Sequence, residues 1–163
     1  MKQALLIVDV QNYFINKNTQ NIPANIKKLI EKNNFSVIIF SQFINSPESQ
    51  FAVQQNFTGC MRPPYSEIVD NLKPWLKNDN VFTKETYSVF TNPNFEKYLK
   101  KNKIDELIIC GLDTDFCVIA DCFNAFDKGY KISVIADCSA SFTSGNEGHE
   151  RALNIIKNFG TII

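Results

Sequence analysis

Six short runs rich in β-branched and aromatic residues punctuate the chain: ALLIVDV (4–10), SVIIFS (36–41), NVFTK (80–84), ELIICG (106–111), KISVIAD (131–137) and GTII (160–163). Most are almost continuously apolar rather than alternating, which is the pattern of strands covered on both faces. Helical spacing fills the intervals. Pro23 stands where a first helical turn accepts proline, and Ile26, Leu29 and Ile30 follow it; Pro93 opens a similar segment with Phe95, Tyr98 and Leu99. Over 114–128, Phe116, Ile119, Ala120, Phe123 and Phe126 recur at helical intervals, and Gly129 is placed to end the helix. A last helix is predicted over 146–158, carrying Ala152, Leu153, Ile155 and Ile156. The stretch 46–75 is broken by Gly59, Pro63, Pro64 and Pro74, so it is expected to form loops and one short helix.

Strands alternating with helices predict an α/β fold, with a parallel sheet layered between helices. At 163 residues the chain suffices for a single domain spanning 1–163. Seventeen basic residues balance seventeen acidic ones, so no net field draws it to a phosphate backbone or an anionic lipid surface. No run approaches the ~18 apolar residues of a membrane span, and the first residues show no cleavage-site pattern. A cytoplasmic protein that binds neither nucleic acid nor membrane is therefore expected. Five cysteines, none in a C-x-x-C pair, argue against disulfides; a single histidine, His149, cannot build a typical catalytic metal centre. The chain is read as needing no metal and no cofactor.

Parallel sheets bind ligands beyond the carboxyl ends of their strands. Asp9 ends the first run, Lys84 ends the third, and GLDTDFC follows the fourth, so an acid, an amine and a thiol are directed to one rim. Each has a plain structural explanation on its own: a turn cap, a surface charge, a packed thiol. Their joint placement suggests a nucleophile. If Thr114 caps the helix, Cys117 sits in its first turn, where free N–H groups and Lys84 lower a thiol's pKa while Asp9 carries its proton.

Three segments, LLIVDVQNYF with Asp9 and Gln11, FTKETYSVF with Lys84, Tyr87, Ser88 and Phe90, and CGLDTDFCV with Gly111, Thr114, Cys117 and Val118, resemble the isochorismatase-like cysteine hydrolases. That superfamily includes nicotinamidases and N-carbamoylsarcosine amidohydrolase. The resemblance covers essentially the whole chain. It implies a Rossmann-like three-layer α/β/α fold with a six-stranded, mainly parallel sheet, and an Asp9–Lys84–Cys117 triad. It also implies a cis peptide at Leu112–Asp113 and an oxyanion hole formed by the backbone N–H groups of Asp113 and Cys117. Nicotinamidases carry a metal-binding Asp-x-His after the second strand, whereas here the chain reads Gln42, Phe43 and Ile44.

The function implied is metal-independent hydrolysis of a small amide, carbamoyl or related substrate through a thioester on Cys117. The alternatives are isochorismatase-like vinyl-ether hydrolysis and a non-catalytic thiol redox sensor or binding protein. Gln11, Phe14, Phe43, Trp75 and Tyr87 are the substrate-binding candidates. His149 is assigned a structural role, the Asp113 side chain is expected to face solvent, and Cys60 is expected to be the most exposed of the remaining thiols. The chain is short for this family, so a neighbouring subunit is expected to cover the pocket in a homo-oligomer.

Overall fold

The computed structural model describes residues 1–163. The six apolar runs become β1 (Gln3–Val8), β2 (Ile38–Phe43), β3 (Val81–Lys84), β4 (Glu106–Leu112), β5 (Lys131–Ala140) and β6 (Thr161–Ile162). They form one sheet in the order β3-β2-β1-β4-β5-β6, with every neighbouring pair parallel. Between them run α1 (Ile22–Lys32), α2 (Gln50–Gln55), α3 (Pro93–Lys101), α4 (Ile119–Asp127) and α5 (Gly145–Ile156). The proline-broken stretch yields only α2 and a 3-10 turn over Asp70–Trp75. No helix is long and apolar enough to cross a membrane.

Alternation along each strand divides the core in two. Ala4, Leu6 and Val8 of β1, with Leu107 and Ile109 of β4, face α3, α4 and α5; Leu5 and Ile7, with Ile108, Cys110 and Leu112, face α1 and the Asp70–Trp75 turn. Each fully buried leucine or isoleucine in these layers contributes about 1.5–3 kcal/mol by leaving water. The central strands are therefore the most firmly held, and their ends are where functional side chains can be fixed.

The helix after β4 forms where the periodicity places it, but the Phe116–Phe126 stripe is not its core face. Val118, Cys122 and Ala125 are buried, while Phe123 and Phe126 are 45% and 53% exposed and meet Phe159 at the surface. The sheet accepts only small side chains at this approach, so the larger rings turn outward.

The sheet order reverses at β1 and β4, whose carboxyl ends lie side by side. There Val8 pairs with Gly111, whose φ is +122°. A Cβ at Gly111 would stand 2.2 Å from the Val8 carbonyl oxygen, so backbone would have to move to admit it. Gly129, at φ +84°, has open space around it. Gly129→Ala should cost about 1–2 kcal/mol, the ordinary penalty of a left-handed residue. Gly111→Ala should cost more than that or prevent folding, and urea unfolding of the two variants measures the difference; equal midpoints would contradict this account.

Candidate active site

Asp9 is the first residue beyond β1 and adopts φ +49°, a left-handed conformation rare outside glycine. Aspartate tolerates it better than most residues, and the bend turns the carboxylate across the sheet end. Both carboxylate oxygens are held: Ser41 Oγ of β2 donates to Oδ1 at 2.7 Å and Lys84 Nζ of β3 donates to Oδ2 at 2.6 Å. The two side chains are almost wholly buried. Lys84 Nζ also donates to the carbonyls of Thr86 at 3.0 Å and Tyr87 at 2.9 Å, lies 3.4 Å from Cys117 Sγ, and stands 5.6 Å from the centre of the Phe43 ring. Three ammonium hydrogens thus face two carbonyls, a carboxylate and a sulfur.

The thiol arrives from the other side of the switch point. After β4 the peptide Leu112–Asp113 is cis, and the chain enters a wide helical turn over Thr114–Val118, in which the Val118 N–H reaches back to the Asp113 carbonyl, before α4 begins. Asp113 occupies the cap position without a side-chain capping bond. Thr114 does not cap the helix as expected: its hydroxyl pairs with His149 Nδ1 at 2.8 Å, which ties this turn to α5. Burial lowers the pKa of that histidine. Asp113, expected at the surface, instead accepts hydrogen bonds from the Phe142 N–H at 2.8 Å and the Thr143 N–H at 3.3 Å, anchoring the loop before α5; burial pushes its carboxyl up to about 6.

The electrostatics differ from the sequence expectation at one point. Burial pushes the Cys117 thiol well above the ordinary cysteine value; Lys84 opposes this, and the charges of Asp9 and Asp121 reinforce it. The resting sulfur is therefore a neutral thiol rather than a pre-formed thiolate. For Lys84, burial alone would lower the pKa, but Asp9, Cys117 and Asp121 outweigh it and hold the ammonium charged.

Asp9 and Cys117 open into a cavity of about 290 Å³. Six aromatic rings line it (Phe14, Phe43, Phe51, Phe57, Tyr87 and Phe116), with Leu112 and the more polar Gln55, Asp113 and Thr143. Phe43 packs edge-on to Phe51 at 4.9 Å, and Tyr87 lies nearly parallel to Phe116 at 5.8 Å, both rings being partly exposed. No lysine, arginine or histidine is among the lining residues.

Of the five substrate-binding candidates, Phe14, Phe43 and Tyr87 line this cavity. Gln11 does not. It is fully buried, its amide donates to the carbonyls of Phe43 and Ser66, and its oxygen accepts from the Phe43 N–H, so every strong hydrogen-bonding group is spent on joining loop to strand. Trp75 does not either: it ends the Asp70–Trp75 turn and packs on the core layer beneath α1. Cys60, expected to be exposed, is 1% accessible and its thiol is pushed up to about 12 by burial. Phe51 and Phe57 were hidden in an irregular stretch with no periodicity, although apolar rings spaced through a proline-broken loop are themselves a sign of a lined cavity.

The end of β2 and the residue after it do not offer metal ligands. Gln42 Nε2 is bonded to the Ser66 carbonyl, Phe43 is a cavity wall, and no three of the His, Cys, Asp and Glu side chains converge anywhere. The donor set does not fit a metal ion.

Comparison with known proteins agrees with this geometry. The isochorismatase domain model matches residues 3–163. The isochorismatase-family protein YrdC of Bacillus subtilis is 31% identical over 149 residues, covering 86% of this chain and 75% of YrdC. N-carbamoylsarcosine amidase from Thermoplasma acidophilum superposes with a TM-score of 0.85 at 24% identity, over 99% of this chain and 95% of that one. Nicotinamidase PncA from Bacillus subtilis superposes with a TM-score of 0.83 at 28% identity, over 100% and 99% of the two chains. The chain, with its all-parallel six-stranded sheet, belongs to the isochorismatase family of hydrolases.

Proposed function

We propose that the chain is a cysteine hydrolase that cleaves the C–N bond of a small amide or carbamoyl compound through a thioester on Cys117, with no metal in the cycle. The observation that carries this reading is the buried Lys84 ammonium, 2.6 Å from Asp9 and 3.4 Å from the Cys117 sulfur, two residues that line an apolar cavity. An acid, a cation and a thiol so arranged supply a base, a charge stabiliser and a nucleophile.

Because burial keeps the thiol neutral, its proton passes to Asp9 as Sγ bonds to the substrate carbonyl carbon. The backbone N–H groups of Asp113 and Cys117 are the donors assigned to the developing oxyanion. Collapse breaks the C–N bond, and the leaving ammonia or amine takes the proton from Asp9. Water then loses a proton to Asp9 as it attacks the thioester, the carboxylic acid departs, and the thiol is restored. Lys84 stays protonated throughout, countering the charge that moves between Asp9 and sulfur.

The cavity wall favours an uncharged acyl group. Six rings provide dispersion and apolar contact, and no basic side chain lines the space to receive a carboxylate. Isochorismate carries carboxylates that would be desolvated there without a counter-charge, so amide hydrolysis is preferred over ether hydrolysis. The likeness to a nicotinamidase at 28% identity points the same way. A redox sensor would have no use for a buried acid and amine held beside the sulfur.

Cys117→Ala should abolish turnover of any amide the protein accepts, and intact-mass spectrometry of the unaltered protein with an electrophilic amide analogue should show one adduct on Cys117. Turnover that persists in Cys117→Ala would reject the mechanism. Asp9→Asn keeps the shape but cannot carry the proton, so kcat should fall by about 10²–10⁴-fold. In a substrate panel, uncharged primary amides should be hydrolysed in preference to carboxylate-bearing carbamoyl compounds and to isochorismate; preference for isochorismate would overturn the assignment to C–N bonds.

A further inference from the structure

Four residues after Cys117, on the first turn of α4, stands an acid that the proposed reaction does not use. Asp121 is 0% exposed. Its Oδ1 accepts hydrogen bonds from Ser88 Oγ and from the Val89 N–H, both at 2.8 Å, while its Oδ2 is buried with no partner. The buried residues around it on the helix, Val118, Cys122 and Ala125, belong to the apolar core and none of them hydrogen-bonds that oxygen. A carboxylate with one bare oxygen in such surroundings is costly, so the packing alone does not account for an acid here.

Asp121 is also joined to the catalytic floor. Ser88 and Val89 belong to the turn that follows β3, and the same turn supplies the Thr86 and Tyr87 carbonyls that hold Lys84 Nζ. The charged and titratable groups facing it are Lys84 from β3, Asp9 from the end of β1, Cys117 from the helical turn before α4, and Cys122 on its own helix. With the Asp9–Lys84 pair summing to zero, a Cys117 thiolate adds one negative charge to this buried set. An ionised Asp121 would add a second.

Building on the reading of Cys117 as a nucleophile, we propose that Asp121 is a positioning residue that controls the ionisation of the Cys117 thiol: protonated, it leaves room for negative charge on sulfur, and ionised, it opposes that charge. The carboxyl is suited to change state near neutrality. Burial pushes it up to about 7, with Lys84 and Ser88 pulling it down, Asp9 pushing it further up and the Val89 N–H pulling it down. The sign follows directly. As pH rises through about 7 Asp121 loses its proton, and its negative charge then makes the thiol harder to ionise, adding to the effect of burial.

The test reads alkylation of Cys117 by iodoacetamide in the full-length protein from pH 5.5 to 9, followed by peptide mass mapping with Cys117→Ala as the blank. Asp121→Asn retains an acceptor for Ser88 and Val89 but removes the charge. If the thiol pKa falls by about one unit, the thiolate fraction rises about tenfold and its lower basicity returns part of that, leaving alkylation roughly threefold faster near pH 8. The inflection near pH 7 seen with the unaltered protein should vanish. Ser88→Ala, which removes a bond favouring the ionised acid, should move that inflection to higher pH, an effect that a purely structural role would not produce. Superimposable curves for the unaltered protein and Asp121→Asn would overturn the proposal even if amides are hydrolysed. The stated alkylation pattern without hydrolysis of any amide would uphold it and remove the hydrolase reading instead.

Discussion

The Asp9–Lys84 ion pair is the constraint around which the functional end of the molecule is built. Burying a carboxylate and an ammonium costs several kcal/mol per ion, and mutual attraction offsets this only when the remaining donors and acceptors are also satisfied. Here they are. Ser41 serves one carboxylate oxygen, Lys84 the other, and two carbonyls and a ring face surround the ammonium. Because Ser41, Asp9 and Lys84 come from β2, the end of β1 and β3, the pair forms only when three strands are in register at their carboxyl ends. Apolar residues of similar volume would stabilise such a site at least as well, so its presence is better explained by chemistry than by stability.

The switch point explains why the thiol meets this pair. The strand order turns at β1 and β4, which opens a crevice between the chain leaving each strand, and Gly111 allows β4 to approach Val8 closely enough for the following turn to lean over Asp9. Asp113 then fastens the far side by holding the Phe142–Thr143 backbone. The cavity floor is thus fixed by strands and a helix turn, while its aromatic walls come from the loop after β1, the end of β2, α2 and the loop after it, the turn after β3 and the helical turn holding Phe116.

Much of this was legible in the residues because it depends on period and position. Continuous apolar runs identified the strands, and the ends of three runs identified Asp9, Lys84 and the segment holding Cys117. What failed depended on partners that a sequence does not reveal. Gln11 is a polar residue two positions from Asp9, yet its amide closes a buried network with Phe43 and Ser66. Trp75 was selected as a large ring, but it covers core rather than cavity. In α4, hydrophobic spacing found the helix and misassigned its inner face, because large rings weigh more in any count than Cys122 and Ala125, which are the residues small enough to fit against the sheet. Position in a first helical turn likewise suggested an acidic thiol. Burial works against that contribution, and it is set by packing rather than by the types of the neighbouring residues.

A neutral resting thiol changes what the pair must do. In the proposed reaction, with Asp9 and Lys84 cancelling each other, no surplus positive charge sustains a thiolate beside the apolar cavity, so nucleophilicity is created as the carbonyl arrives. A carboxylate has roughly four lone-pair positions, and here two are occupied by Ser41 and Lys84, so acceptor capacity remains for the thiol proton without breaking either bond. In the proposed reaction the transfer moves negative charge from Asp9 toward sulfur while Lys84 stays bonded to Asp9 and within 3.4 Å of that sulfur. The base, the cation and the sulfur of that proposal sit on three separate elements, and the fold satisfies every atom of the ion pair while leaving acceptor capacity on Asp9 for the proton.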